Sequence, residues 1–513
     1  MSNFEVYKFN MLENEYWYGP IVNDGCKYPL SRESVYEVNL YPNESPNQVN
    51  TILLSNKGRY IWCESGFKLS VLNGEIEIKS ELDSPKLYIG GTTLKEAFLH
   101  AINNFMKPSG KVPPKIFFTS PQYNTWIELL YNQNEEGILN YANSVLKNNM
   151  PVGIIMIDDG WSDYYGKWRF NKEKFKNPKK MIEKLHDLGF KVMLWTCPFI
   201  TPDTQEFRYL REKDCLVKNR YGNVDIKKWW NGYSAVLDLS NPEAVKWYCD
   251  QNDYLVSEYG IDGFKFDAGD ASFYNNDDLT YGSVTANEQS RLWAEIGLRY
   301  EFNEFRSCFK CAGLPLVQRL ADKNHSWEYN GVKSLIPNQL TQGLLGYSYT
   351  CPDLIGGGEY TNFLENSNNL DQELIVRYAQ CSALTPMMQF SVAPWRVLSK
   401  QNLELCIEAA WKHVEYSEYI WELAKKASNT GEPIIRFMEY EFPNEGFEKI
   451  NDQFMLGDKY LVAPVVCKGI KKRTVKFPKG MWRSEHGEDI IGGVIKEFDA
   501  QINMLLVFEK IEN

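Results

Sequence analysis

No stretch of this chain approaches the roughly 18 consecutive apolar residues that a membrane-crossing helix needs. Its first residues, Met1-Ser-Asn-Phe-Glu-Val, carry no basic start followed by an apolar run. The expectation is a soluble, cytoplasmic protein with no membrane partner. Basic residues are in the minority, 56 against 67 acidic ones for a net charge of −11, and no acidic block dominates. A nucleic-acid partner would call for a concentrated basic patch, so none is expected. Histidine is scarce, at 5 residues with none paired at ligand spacing, which argues against a catalytic zinc. There is no Walker loop, no G-x-G-x-x-G fingerprint, no G-x-S-x-G elbow and no H-E-x-x-H. Gly356-Gly-Gly358 by itself reads as a flexible turn rather than a phosphate cradle. No metal or organic cofactor is expected.

The cysteines, 11 in number, are odd in count and scattered, which suits reduced thiols better than a disulfide framework. Only Cys308-Phe-Lys-Cys311 has a suggestive spacing. A zinc site wants a second such pair and a thioredoxin-type motif wants its own βαβ setting, so these two read as strand cysteines.

What is present is a chain of 513 residues, 43% hydrophobic and 14% aromatic, enough for a large core and two to four domains. Residues 1–110 read as short β segments: Tyr60-Ile-Trp-Cys63, Phe67 to Leu72, and the alternating Gly74-Glu-Ile-Glu-Ile78. That is the pattern of an antiparallel sandwich, and Lys111-Val-Pro-Pro114 closes it as a proline-rich junction. Over 111–430, apolar runs beginning near Lys115, Val152, Lys191, Gly263, Phe305, Leu316, Ser348 and Pro386 alternate with helical stretches. Asn241-Pro242-Glu243 places a cap, a first-turn proline and an early acid before one of these helices. Eight βα units make an α/β fold of the (β/α)8 TIM-barrel type. A long segment at about 201–236 and a link from strand five to six too short for a helix keep a doubly wound sheet as the alternative. Residues 431–513 are β-rich and are expected to form a C-terminal β-sandwich domain.

In a TIM barrel the chemistry sits at the C-terminal ends of the strands. Here those ends carry Asp158, Asp159 and Trp161, then Trp195, then Lys265, Asp267 and Asp270, then Arg306, Arg319 with Asp322, and Asp353. A single aspartate there is more often a helix cap; several acids and tryptophans on one face point to a site. Carboxylates accept from sugar hydroxyls and aromatic faces cover the apolar C–H side of a ring, so a carbohydrate pocket is the reading. Glycoside hydrolysis needs two carboxyl groups. Asp267 is the candidate nucleophile: small residues, Ala268 and Gly269, follow it, and Lys265 shares its side of the strand and favours the ionised form. Asp322 is the candidate acid, where partial burial would favour the protonated form; a plain salt bridge with Arg319 or Lys323 explains it equally well.

These residues resemble the retaining α-glycosidases of glycoside hydrolase family 31 over nearly the whole chain. Phe264-Lys-Phe-Asp-Ala-Gly-Asp270 is similar to the family's nucleophile strand and Phe305-Arg-Ser307 to its arginine strand. Leu239-Ser-Asn-Pro-Glu-Ala244, Asp353-Leu-Ile-Gly-Gly357, Gln453 to Asp458, and Leu461-Val-Ala-Pro464 match as well. The resemblance implies Asp267 as nucleophile, Asp322 as acid/base, and Asp158, Trp195, Lys265 and Arg306 as sugar contacts. Asp159, Trp161, Arg319 and Asp353 complete the expected substrate-binding set. The chain departs from the common pattern in having Pro352 where a histidine usually stands and Ala268-Gly269-Asp270 where glucose-specific members tend to carry Met-Asn-Glu. Phe-Asp-Ala-Gly is nearer the branch of α-galactosidases and myogenesis-regulating-glycosidase-like members, which usually has Glu at the position of Asp270. The expected activity is exo-hydrolysis of terminal non-reducing α-linked hexose, an α-galactoside first, by a two-carboxylate double displacement. An α-glucosidase, a transglycosylase or an inactive carbohydrate-binding protein are the alternatives, and homo-oligomerisation stays open.

Overall fold

The computed structural model describes residues 4–511. Its centre is a sheet of eight parallel strands: β1 (Gln122–Asn124), β2 (Ile154–Ile157), β3 (Lys191–Thr196), β4 (Gly263–Phe266), β5 (Phe302–Phe305), β6 (Val317–Arg319), β7 (Thr350–Cys351) and β8 (Gln389–Phe390). Neighbours follow chain order from β1 to β7, and β8 returns to pair with β1. A doubly wound sheet would reverse its order at a central switch point; this one curls into a barrel. Gln389 on β8 donates to Gln122 on β1 at 3.0 Å and across the interior to Glu304 on β5 at 2.8 Å. Only a closed cross-section brings β8 that near β5.

The strands are buried, as parallel strands covered by helices are; β2 is apolar throughout, whereas Gln122, Lys265, Glu304, Gln318, Arg319 and Gln389 place polar groups on the others. The helix Pro242–Tyr259 shows how the sequence sets its neighbours: the Asn241 side chain accepts from Glu243 N, Pro242 takes the first turn, and Gly260 ends the helix at φ 76°.

Two local expectations shift, and the two irregular links are as expected but acquire a structural account. The run after Lys115 is not a strand but a short helix, Ile116–Thr119, and the first strand follows Pro121; a brief apolar run does not by itself distinguish the two. Within the leading β region stands a helix, Leu94–Phe105, closed by a Thr93/Glu96 capping box and burying Leu94, Ala97, Phe98, Ala101 and Ile102 at helical spacing. The long β3–β4 link holds a helix, Gln205–Glu212, and a hairpin, Ile226–Trp229 with Gly232–Val236. The helix-free β5–β6 link is covered by the N-terminal region: Val49 N donates to Cys308 O at 3.0 Å and Lys310 N returns to Val49 O at 3.1 Å.

The N-terminal region forms two four-stranded antiparallel sheets, and after the long helix Lys400–Thr430 the chain ends in a six-stranded sheet with a separate two-stranded ribbon. The protein is therefore a (β/α)8 barrel between two β-rich regions. Among the described residues no helix is long and apolar enough to cross a membrane.

Candidate active site

The strand ends converge on one cavity of about 390 Å³, lined among others by Asp158, Asp159, Trp195, Lys265, Asp267, Arg306 and Asp322. Asp267 immediately follows β4 and lines the cavity. Arg306 Nε donates to its Oδ1 at 2.9 Å and the Trp195 indole N–H to its Oδ2 at 3.0 Å. Burial alone would raise its pKa, but the Arg306 guanidinium, then Lys265 and Arg319, together with the Trp195 bond, hold this carboxyl well below the usual carboxylate range. Asp267 is an ionised, hydrogen-bonded carboxylate lining the cavity.

Arg306 is itself fixed by a fork to Asp270, at 2.8 and 2.6 Å, and by Pro46 O at 2.6 Å. Asp270 is thus the anchor of the arginine, and Pro46 brings the N-terminal region into the wall. Lys265 Nζ reaches Asp158 Oδ2 at 2.7 Å with both side chains about 95% buried or more, so two cavity-lining groups of β2 and β4 neutralise each other. Asp322 lies in the loop after β6; its side chain is 39% exposed and accepts from Arg319 Nη1 at 2.8 Å. The salt bridge and the open position are both present.

Three expected contacts stand behind the wall rather than on it. Trp161 is fully buried and donates to Trp195 O at 2.8 Å, so it backs Trp195. Arg319 and Asp353 are buried and paired at 2.7 Å, and Asp353 also accepts from Lys323 N and Gly358 N. The small residues after Asp267 serve packing rather than sugar approach. Ala268 is 1% exposed at φ 60°, and a Cβ on Gly269 would come within 1.8 Å of Trp293.

Wall residues that sequence reasoning did not single out are Trp126, Trp230, Phe273, Glu359 and Tyr360. Trp230 had one signal, its place in the irregular β3–β4 segment. The others sit in loops whose convergence only barrel closure sets.

Asp159 has a distinct setting. It accepts from Tyr165 OH at 3.0 Å and Asn231 Nδ2 at 2.8 Å. Burial first, then the adjacent Asp158 carboxylate, push it up to about 7 in spite of those bonds. An unfolded aspartate titrates near 3.9, so the folded state holds the extra proton between about pH 4 and 7, and stability falls as pH rises through that window. Asp159→Asn should remove this part of the fall: its thermal midpoint should gain on wild type at pH 8 and not at pH 4.5. An equal offset at both pH values would refute the assignment.

The chain is similar to known proteins. The model of the glycosyl hydrolases family 31 TIM-barrel domain matches residues 111–401, and that of the family's C-terminal domain matches 431–510. The myogenesis-regulating glycosidase of Mus musculus is 33% identical over 392 residues, 75% of this chain and 55% of its own length. Alpha-glucosidase 2 of Bacillus thermoamyloliquefaciens is 24% identical over 411 residues, 74% of this chain and 51% of its own. The chain thus spans about half the length of these curated relatives. Among solved structures, a Flavobacterium johnsoniae dextranase complexed with glucose superposes with a TM-score of 0.85 at 22% identity, over 98% of this chain and 66% of that one, a likeness of fold. With its barrel and its closing β region both matched, the chain belongs to glycosyl hydrolase family 31.

Proposed function

We propose that this chain is a retaining exo-α-glycosidase acting on a terminal non-reducing α-linked hexose. The observation that carries the reading is Asp267, an ionised carboxylate pinned by Arg306 and Trp195 in the wall of a cavity that Asp322 also lines. Asp267 attacks the anomeric carbon to form a β-glycosyl ester while Asp322 gives its proton to the departing oxygen. Asp322 then takes a proton from water, which cleaves the ester and releases the α-hexose. Lys265 and Arg306 keep Asp267 ionised, and Asp158 offers acceptors to sugar hydroxyls. The test is hydrolysis of aryl α-hexosides followed by proton NMR: the α-anomer should appear first and mutarotate later. First appearance of the β-anomer would overturn double displacement.

The preferred sugar in this proposal is α-galactose. Support comes from Phe266-Asp-Ala-Gly269 and from Pro352 in place of a histidine. Galactose and glucose differ only in the axial or equatorial 4-hydroxyl, and the wrong epimer leaves buried polar groups unpaired at a cost of about 1–3 kcal/mol each. The expected result is a kcat/KM at least about tenfold higher, or ~1.4 kcal/mol, on the aryl α-galactoside. The similarity to an enzyme named alpha-glucosidase favours the opposite outcome as the second reading. A tenfold preference for the glucoside would establish it and leave the mechanism standing.

A further inference from the structure

The cavity wall carries two aromatic banks. On one, Trp126 meets Tyr131 at 5.2 Å and Tyr360 at 5.3 Å, edge to face. On the other, Trp230 at the tip of the β3–β4 hairpin tilts against Phe273 at 5.8 Å and lies 5.6 Å from the Arg306 guanidinium. The base of this hairpin is well held: Trp229 stacks on Phe199 at 4.2 Å, and Lys227 pairs with Asp278 at 3.0 Å. Its tip is a two-residue turn, Trp230-Asn231, with Trp230 44% exposed.

Asn231 spans the gap between the banks. Its Oδ1 accepts from Tyr131 OH at 2.6 Å, and its Nδ2 donates to Asp159 Oδ2 at 2.8 Å and to Tyr165 OH at 2.6 Å. Tyr165 OH in turn donates to Asp159. Both amide hydrogens and one carbonyl lone pair are therefore committed to protein, which leaves Asn231 little to offer a ligand. The partners come from three separate segments, the β1 loop, the end of β2 and the ribbon after it, and Asn231 joins all three to the hairpin tip.

We propose that Asn231 is a clasp, a positioning residue that ties the hairpin tip to Tyr131 and Asp159, sets the spacing of the two aromatic banks, and so determines how well the leaving-group sugar is bound. This rests on the glycosidase reading and puts the leaving-group sugar between the banks, whose Trp126, Tyr360, Trp230 and Phe273 line the cavity that Asp267 and Asp322 share. It concerns the aglycone side of the site and assigns no step of the chemistry. A clasp of this kind is cooperative: breaking either end frees the same tip, so the losses should not add.

The test uses the full chain as wild type, Asn231→Ala, Tyr131→Phe and the double variant. Each is assayed on an aryl α-hexoside and on an α-linked disaccharide of the same hexose. Asn231→Ala should raise KM for the disaccharide about tenfold, with kcat on the aryl substrate changed by less than about twofold. Tyr131→Phe should do part of this, and the double variant should be no worse than Asn231→Ala. Amide hydrogen exchange supplies a readout independent of turnover: residues 226–236 should exchange faster in Asn231→Ala than in wild type. Unchanged exchange there, or an equal loss of kcat on both substrates, would overturn the clasp. A wild type that cleaves neither substrate would sink the glycosidase reading instead, with the exchange result still deciding whether Asn231 holds the tip.

Discussion

Asp267→Ala is expected to abolish turnover on every substrate, a fall in kcat of at least about 10⁴-fold or ~5.4 kcal/mol of transition-state stabilisation. Its carboxylate is the group that Arg306, Lys265 and Trp195 converge on, and without it the anomeric carbon has no nucleophile. Asp322→Ala should behave differently. Disaccharides, whose leaving oxygen needs a proton, should slow by about 10²–10⁴-fold, whereas an aryl glycoside with an acidic phenol should form its glycosyl-enzyme at nearly the wild-type rate. That ester then waits for a base that is gone. Azide, which needs none, should attack from the side the phenol left, restore turnover and give an α-glycosyl azide. Two results would remove these roles: an Asp267→Ala enzyme retaining a tenth of wild-type activity, or an Asp322→Ala enzyme whose rate depends on the leaving group no more steeply than wild type.

What could be read in advance was what lies close together along the chain. A parallel strand is a short apolar run, and the residue just past its end faces the site, so Ile154 to Asp159 and Gly263 to Asp267 each announce both strand and wall within six residues. The helix start at Asn241-Pro242 is equally local. The rest depends on closure. Pro46 reaches Arg306 across 260 positions and Asn231 reaches Tyr131 across 100, and no periodicity links such pairs. Trp161 shows the converse failure: an aromatic at a strand end reads as a sugar platform, yet the turn at Gly160, φ 97°, sends it beneath Trp195. Strand alternation cannot predict direction once the strand has ended.

Arg319→Met should be the most destabilising single change near the site. The guanidinium is 1% exposed and lies between three carboxylates: Nη1 to Asp353 at 2.7 Å and to Asp322 at 2.8 Å, and Nε to Glu304 at 3.4 Å. Asp353 and Glu304 are fully buried, so removing the cation leaves two buried carboxyls without their shared counter-charge, held only by the Lys323 and Gly358 N–H groups, Gln389 and the field of Lys265, a loss of about 3–5 kcal/mol. Methionine fills much of the volume, which separates the electrostatic cost from that of a cavity. The pH dependence identifies the cause. Burial first, then the Asp322 carboxylate, already push Asp353 up to about 6 against the pull of Arg319. A carboxyl raised in the folded state binds its proton more tightly there than in the unfolded chain, so stability is lost as pH rises from about 4 through the folded pKa. Without Arg319 the folded pKa rises further and the loss continues to higher pH. Chemical unfolding of wild type and Arg319→Met should therefore differ more at pH 8 than at pH 5, and adding Asp353→Asn should narrow the gap at pH 8. A deficit that is the same at both pH values would assign the cost to packing, and no deficit at all would mean that the three carboxylates do not depend on this arginine.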